Sequence, residues 1–159
     1  MGKQARAIAE IPLKDIVKDL TKAYADEWLA HYLYWYMAQI VCGKAYEDMQ
    51  ELLKKIAADE KEHAEELADL ITKLGGVPIA NPMELEKNAN TPYIMPPKNG
   101  ADINRIIRIV TEAEASAIDV YNKIVKKTFG KDHVTYQLVM HILAEEIEHE
   151  EMFENLMER

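Results

Sequence analysis

Apolar and polar residues alternate along this chain with a helical period almost throughout. Four long stretches, residues 12–42, 45–74, 101–129 and 132–158, carry apolar residues three and four apart. In the first, Ile16, Leu20, Ala23, Tyr24, Glu27, Ala30 and Tyr34 share one stripe. In the second, Leu52, Ile56, Leu67, Leu70 and Ile71 do so. No alternating run of useful length marks a strand. Pro12 stands at a favoured early position of the first helix. At 1.5 Å per residue each helix would be about 40–46 Å long.

The helix breakers supply the connections. Gly43 and the Gly130-Lys131-Asp132 turn are short, so the first and second helices, and the third and fourth, form antiparallel hairpins. Of the six prolines, Pro78, Pro82, Pro92, Pro96 and Pro97 lie together between Gly76 and Gly100. This stretch of roughly 24 residues reads as a structureless linker long enough to run the length of a bundle. The predicted fold is all-α: a four-helix bundle of two antiparallel hairpins joined by one long crossover. It forms a single domain over residues 1–159.

Composition narrows the function classes. The chain has 28 acidic and 19 basic residues and a formal net charge of −9. Phosphate binding needs a concentrated basic surface, and the first ten residues offer only Lys3 and Arg6, so no nucleic-acid partner is expected. No apolar run approaches the roughly 18 residues of a membrane span, and MGKQARAIAE lacks a signal-peptide core. A lone Cys42 excludes a disulfide framework and a cysteine-based zinc site, and points to the cytoplasm. It reads as a small buried hydrophobe near the end of the first helix.

The two hairpins repeat each other. Ala58-Asp59-Glu60-Lys61-Glu62-His63-Ala64-Glu65 aligns with Ala144-Glu145-Glu146-Ile147-Glu148-His149-Glu150-Glu151. Glu27, Ala30 and Tyr34 align with Glu114, Ala117 and Tyr121. Each half thus reads E-x-x-A-x-x-x-Y, followed on its next helix by E-x-x-H. Residues three apart share a helix face, so each E-x-x-H pairs a carboxylate with an imidazole. A single such pair is an ordinary feature of a solvated charged face. Here, however, Glu27, Glu60, Glu114 and Glu146 ride the apolar stripes, and no Lys or Arg stands three or four residues from any of them. Four buried carboxylates without counter-charge would each cost several kcal/mol or be forced to protonate. Two divalent cations supply the missing charge. Carboxylates with one imidazole per ion suit iron, or manganese, better than zinc.

A Glu from each of two helices with E-x-x-H from each of the other two resembles the ferritin-like di-iron bundles. Asp26-Glu27-Trp28-Leu29-Ala30 with Tyr34, Glu60–His63, Glu114-Ala115-Ser116-Ala117-Ile118 and Glu145–His149 resemble the bacterioferritin ligand segments. The last 40 residues, with Phe129-Gly130-Lys131-Asp132, Thr135-Tyr136 and Ile142–Glu150, are most similar to the Dps-like ferritins. That resemblance implies Fe(II) oxidation by hydrogen peroxide or dioxygen, with iron stored inside a shell. It implies two iron ions per subunit, with Glu27 and Glu114 as terminal ligands, Glu60 and Glu146 as bridges, and His63 and His149 as nitrogen ligands. Tyr34 would stand beside the ions as a hydrogen-bonding or redox neighbour.

The chain departs from its relatives in places. Lys61 stands where bacterioferritins have their haem-ligating Met, so no haem is expected. Ser116 takes the helix-three position of the cysteine pair found in many Dps-like ferritins, and the crossover has no Cys. Rubrerythrins carry an extra Glu where Ala117 stands, and manganese catalases lack the second E-x-x-H. His149 lies close to the last residue given, Arg159, so no fifth helix of the kind that lines 24-subunit cages is expected. The resemblance then implies a homo-oligomer of twelve subunits. Tyr93, Ile94, Met95, Phe153 and Met157 are candidate contact residues between copies. His31, one turn beyond Glu27, reads as a polar neighbour of the site or a surface histidine; His133 and His141 read as solvent-facing or interface groups. Glu62, Glu65, Glu66, Glu148, Glu151 and Glu154 read as a solvated face able to draw cations inward. Trp28, Trp35 and most tyrosines read as packing residues; only Tyr34 and Tyr121, each seven residues beyond a candidate ligand, read as neighbours of the site. The alternatives are a non-storage di-iron or di-manganese oxidoreductase and a metal-free helical interaction module.

Overall fold

The computed structural model describes residues 2–44 and 46–157. Among these residues six helices run in chain order: α1 (Lys3–Ile8), α2 (Leu13–Ile40), α3 (Tyr46–Lys73), α4 (Leu85–Asn88), α5 (Ile103–Thr128) and α6 (His133–Glu154). No strand occurs among the described residues. The four long helices fall inside the predicted stretches, with their ends drawn in. The predicted helix edges at Ala45 and Glu158 lie outside the described residues. α1 was not predicted, because it buries no residue and so has no apolar stripe to betray it. Since α2 stops at Ile40, Cys42 lies beyond the helix and is exposed, not the buried hydrophobe expected.

Side chains mark where the helices begin. Asp102 accepts from the Arg105 N–H at the start of α5. Asp132, itself buried, accepts from both the N–H and the hydroxyl of Thr135 at the start of α6. Between them Gly130, at φ 71°, takes the left-handed conformation that closes the hairpin. Among the described residues, no helix is long and apolar enough to cross a membrane.

The crossover is not structureless. It contains a 3-10 turn at Pro82–Glu84 and α4, and it is fastened along α2. Tyr24 donates to the Ile79 carbonyl at 3.4 Å. Asp26 accepts from the N–H and side-chain amide of Asn90 at 2.8 and 2.6 Å, and from the N–H of Thr91 at 3.2 Å. At its far end the Cys42 N–H donates to the Gly100 carbonyl. A proline-rich sequence conceals this order because its partners are on another helix. Gly100 leaves no room for a side chain: a Cβ there would sit 1.8 Å from the Ile40 carbonyl oxygen. Backbone cannot step aside as a side chain can. Gly100→Ala is therefore expected to cost about 3 kcal/mol, lowering the thermal midpoint by roughly 6–12 °C in a calorimetric scan. An unchanged midpoint would show that the crossover is not held against α2.

The core consists of two apolar blocks. One gathers Leu33, Met37, Leu53, Ile56, Ile106, Ile109 and Phe153. The other gathers Ile16, Leu20, Leu67, Ile71, Ile124, Val139 and Ile142. Phe153 is fully buried in the first block, which corrects its expected place on a contact surface. Tyr93 and Ile94 are half-buried against that same block, whereas Met95 and Met157 are exposed. Trp35 is also more exposed than a packing residue should be. With Tyr32 and Tyr36 it forms an outward aromatic face on α2, which Tyr93 joins from the crossover.

Candidate metal centre

Between the two apolar blocks lies a polar layer. Glu27 on α2, Glu60 and His63 on α3, Glu114 on α5, and Glu146 and His149 on α6 are each 1–3% exposed. All six expected site residues are thus brought together, one from each outer position of the repeat and two from each E-x-x-H. They form two groups, Glu27–Glu60–His63–Glu146 and Glu60–Glu114–Glu146–His149. Within each group the ligand atoms lie within 4.8 Å of one another. Glu60 and Glu146 belong to both groups.

The imidazoles face inward through Nδ1. His63 Nδ1 lies 3.1 Å from Glu146, 3.3 Å from Glu60 and 3.6 Å from Glu27. His149 Nδ1 lies 3.5 Å from Glu60 and 3.9 Å from Glu114. None of these approaches has hydrogen-bond geometry: both Nδ1 atoms, Glu60 Oε1 and both Glu146 oxygens are buried without a partner. Native interiors rarely leave such atoms unpaired. Among the described residues, no Lys or Arg forms an ion pair with the four glutamates. A set of inward lone pairs with no donors to meet them fits divalent cations, and the mixed oxygen and imidazole chemistry fits iron or manganese.

Hydrogen bonds across the hairpins aim the candidate ligands. Tyr34 donates to Glu114 at 2.6 Å, and Tyr121 donates to Glu27. The far nitrogen of His63 meets Glu145 at 2.7 Å, and that of His149 meets Asp59 at 3.3 Å. Each half therefore orients the ligands of the other. A carboxylate at Nε2 fixes the tautomer and leaves Nδ1 free to bind a cation. Asp59 and Glu145 escaped the sequence reading as functional residues, although they occupy matching positions in the repeat. His31 does not join the layer; its Nδ1 meets the Ala57 carbonyl at 2.5 Å and ties α2 to α3. His133 and His141 are exposed, as expected.

Without cations the layer is electrostatically strained. Burial, reinforced by Glu27 and Glu114, pushes the Glu60 carboxyl well above its ordinary range. Burial and the charge of Glu146 do the same to Glu114. Glu146 is pushed up to about 8 by burial and by Glu60 and Glu27. Burial would also raise Glu27, but contacts with Glu60, His63 and Tyr121 outweigh it and bring the group down. Burial opposes charge on His63, yet the contacts with Glu146, Glu27 and Glu60 lift it above its usual value. Groups raised in the fold hold more protons folded than unfolded, so they stabilise below their unfolded pKa and lose that contribution as pH rises through the folded value. The metal-free protein is accordingly expected to lose thermal stability from about pH 4.5 to about pH 8, by at least about 4 °C. Calorimetry of chelator-treated protein checks this. A midpoint rising across that window would mean the carboxylates are ionised without cations.

A family model for the ferritin-like domain matches residues 17–159. The chain belongs to the ferritin-like family. Within that family it is 33% identical over 147 residues to the DNA protection during starvation protein of Pyrococcus furiosus, covering 92% of this chain and 79% of that one. The dodecameric thioferritin of Bacteroides fragilis, a bacterioferritin-related protein, superposes with a TM-score of 0.91 at 33% identity, over 97% of this chain and 92% of that one. Bacterioferritin from Desulfovibrio desulfuricans, described by its diiron site, superposes with a TM-score of 0.74 at 27% identity, over 91% and 78% of the two chains. These likenesses agree with the expected ferritin-like, Dps-like class and with its all-α bundle.

Proposed function

We propose that this chain is a ferroxidase that binds two Fe(II) ions in the polar layer, oxidises them with hydrogen peroxide or dioxygen, and stores the iron in a closed shell of twelve copies. The observation that carries it is the pair of four-ligand groups sharing Glu60 and Glu146. In this reading Glu60 and Glu146, common to both groups, would hold both ions, Glu27 and Glu114 would each hold one, and His63 and His149 would supply nitrogen. Manganese suits the same donors; Lys61 supplies no haem ligand.

Each bound Fe(II) supplies one electron, so two ions and two protons convert one hydrogen peroxide to two waters. The protein's own part is positioning and proton handling. Entry of the ions displaces the protons that burial holds on Glu60, Glu114 and Glu146. Glu145 and Asp59 keep the two imidazoles turned inward. Tyr34 and Tyr121 fix the outer carboxylates by donating to them, and Tyr34, fully buried beside Glu114, is the group proposed to act next to the reacting ions. A net charge of −9 argues for protection by removing Fe(II) and oxidant, not by coating DNA.

Anaerobic titration should find two Fe(II) per chain, and peroxide should then be consumed at about one molecule per two ions. Particle mass decides between storage and a smaller enzyme. Twelve chains of 18.2 kDa give about 218 kDa. A stable dimer with and without iron would defeat the cage and favour a non-storage di-iron or di-manganese oxidoreductase.

A further inference from the structure

The contact that pins the far end of the crossover also makes that point chemically labile. Gly100 lies against the backbone of Ile40 and Val41, where only glycine fits, and the residue before it is Asn99. The chain has seven asparagines, and no other precedes a glycine. The peptide nitrogen after an asparagine can attack the side-chain amide carbon and close a five-membered ring. A Cβ on the following residue crowds that attack, whereas glycine leaves it open and lets the backbone turn. Asn81 is followed by Pro82, whose nitrogen has no hydrogen to lose, and Asn104 and Asn122 are held inside α5. Asn99 is exposed to water. Its Oδ1 accepts from the Ala101 N–H at 3.1 Å, which folds the side chain back over the Gly100 peptide. A donor on that oxygen draws electrons from the amide carbon and steadies the negative charge that gathers there during attack. Among the described residues, the Gly100 N–H donates to no backbone carbonyl.

We propose that Asn99–Gly100 is a site of spontaneous modification, with water as its co-reactant, and that its isoaspartate product unfastens the crossover from α2. The Gly100 nitrogen gives its proton to solvent and bonds to the Asn99 side-chain carbon; the bond from that carbon to the amide nitrogen breaks, and the nitrogen leaves as ammonia with a proton from solvent. Water then opens the ring. Opening at the side-chain carbonyl restores the backbone and leaves aspartate. Opening at the main-chain carbonyl leaves isoaspartate, whose backbone runs through Cβ and is one carbon longer. Nothing is oxidised or reduced. The extra carbon falls where the chain has least slack. The Gly100 carbonyl accepts from the Cys42 N–H at 3.1 Å, and the Asn99 carbonyl accepts from the Asp102 N–H at 3.1 Å. A longer backbone cannot keep both ties and the contact with Ile40. Aspartate adds only charge, and adds it just before the N-terminus of α5, where negative charge is favoured. The proposal is independent of the ferroxidase reading.

The test incubates the full chain for days in warm, mildly alkaline buffer and maps its peptides by mass spectrometry. Exchange of NH2 for OH should accumulate at Asn99 at least about tenfold faster than at Asn90 or Asn122. Labelling with an isoaspartyl methyltransferase distinguishes isoaspartate from aspartate, and ion exchange isolates the converted protein by its added charge. The thermal midpoint of the isoaspartate-rich fraction should fall by at least about 4 °C. Asn99→Asp, which carries the charge on an unaltered backbone, should stay within about 2 °C of fresh protein. Asn99→Gln, whose longer side chain closes a larger ring reluctantly, should neither convert nor lose stability during the same incubation. Conversion at Asn99 no faster than at the other asparagines overturns the modification site. Isoaspartate at Asn99 with an unmoved midpoint, or an equal loss of stability in aged Asn99→Gln, overturns the unfastening.

Discussion

Glu146→Ala protein is expected to bind Fe(II) without the paired stoichiometry and to oxidise it at least about a hundredfold more slowly than the unaltered chain. The size of the effect follows from the position of this carboxylate. It belongs to both ligand groups, and both its oxygens are buried with no partner inside the protein. Removing a residue that only orients a ligand commonly costs about 10–100-fold in metal affinity or activity; removing a ligand common to both ions should cost more. Glu60→Ala should behave alike, because Glu60 approaches His63 through one oxygen and His149 through the other. Loss of counter-repulsion should meanwhile make the metal-free Glu146→Ala protein no less stable at pH 8. Anaerobic titration with single-turnover oxidation separates the two effects. A variant that still held two ions and oxidised them at the original rate would remove the assignment.

The second large effect concerns Phe153. Its ring is fully buried beside Leu53, Ile106 and Ile109 in the block that adjoins Tyr34. Phe153→Ala is expected to destabilise the fold by about 3–5 kcal/mol through lost burial and the cavity left behind. Met157→Ala, at an exposed position of the same chain end, should stay within about 0.5 kcal/mol. Denaturant unfolding of the two variants checks the contrast. Were Phe153 a contact between copies, its loss would change particle mass at constant subunit stability.

That pair of residues also shows what the sequence could convey. A helical stripe says that Phe153 is covered, but not whether its own bundle or another copy covers it. The six candidate ligand residues were legible because two E-x-x-H motifs and two aligned glutamates broke the rule that charge stays off an apolar stripe. Asp59 and Glu145 were not, since an acid one residue from a ligand faces partly toward solvent and looks like an ordinary surface charge. The crossover was illegible for another reason. Proline and asparagine there signal departure from helix, while the bonds that order the segment come from Asp26 and Cys42, distant in sequence. Cys42 was misplaced because α2 ended two residues early.

The division of the core into two apolar blocks has a consequence for alignment. Leucine and isoleucine layers are nearly interchangeable, so a bundle held by them alone could slide one hairpin along the other by a helical turn at modest cost. Here such a slip would thrust Glu60 and Glu146 among isoleucines and part Tyr34 from Glu114 and Tyr121 from Glu27. Each Tyr–Glu bond parted in this way would leave buried polar atoms unpaired, at a cost of about 1–3 kcal/mol. The polar layer thus serves as a key cut into an otherwise smooth shaft, fixing the length-wise setting of the helices before any ion arrives.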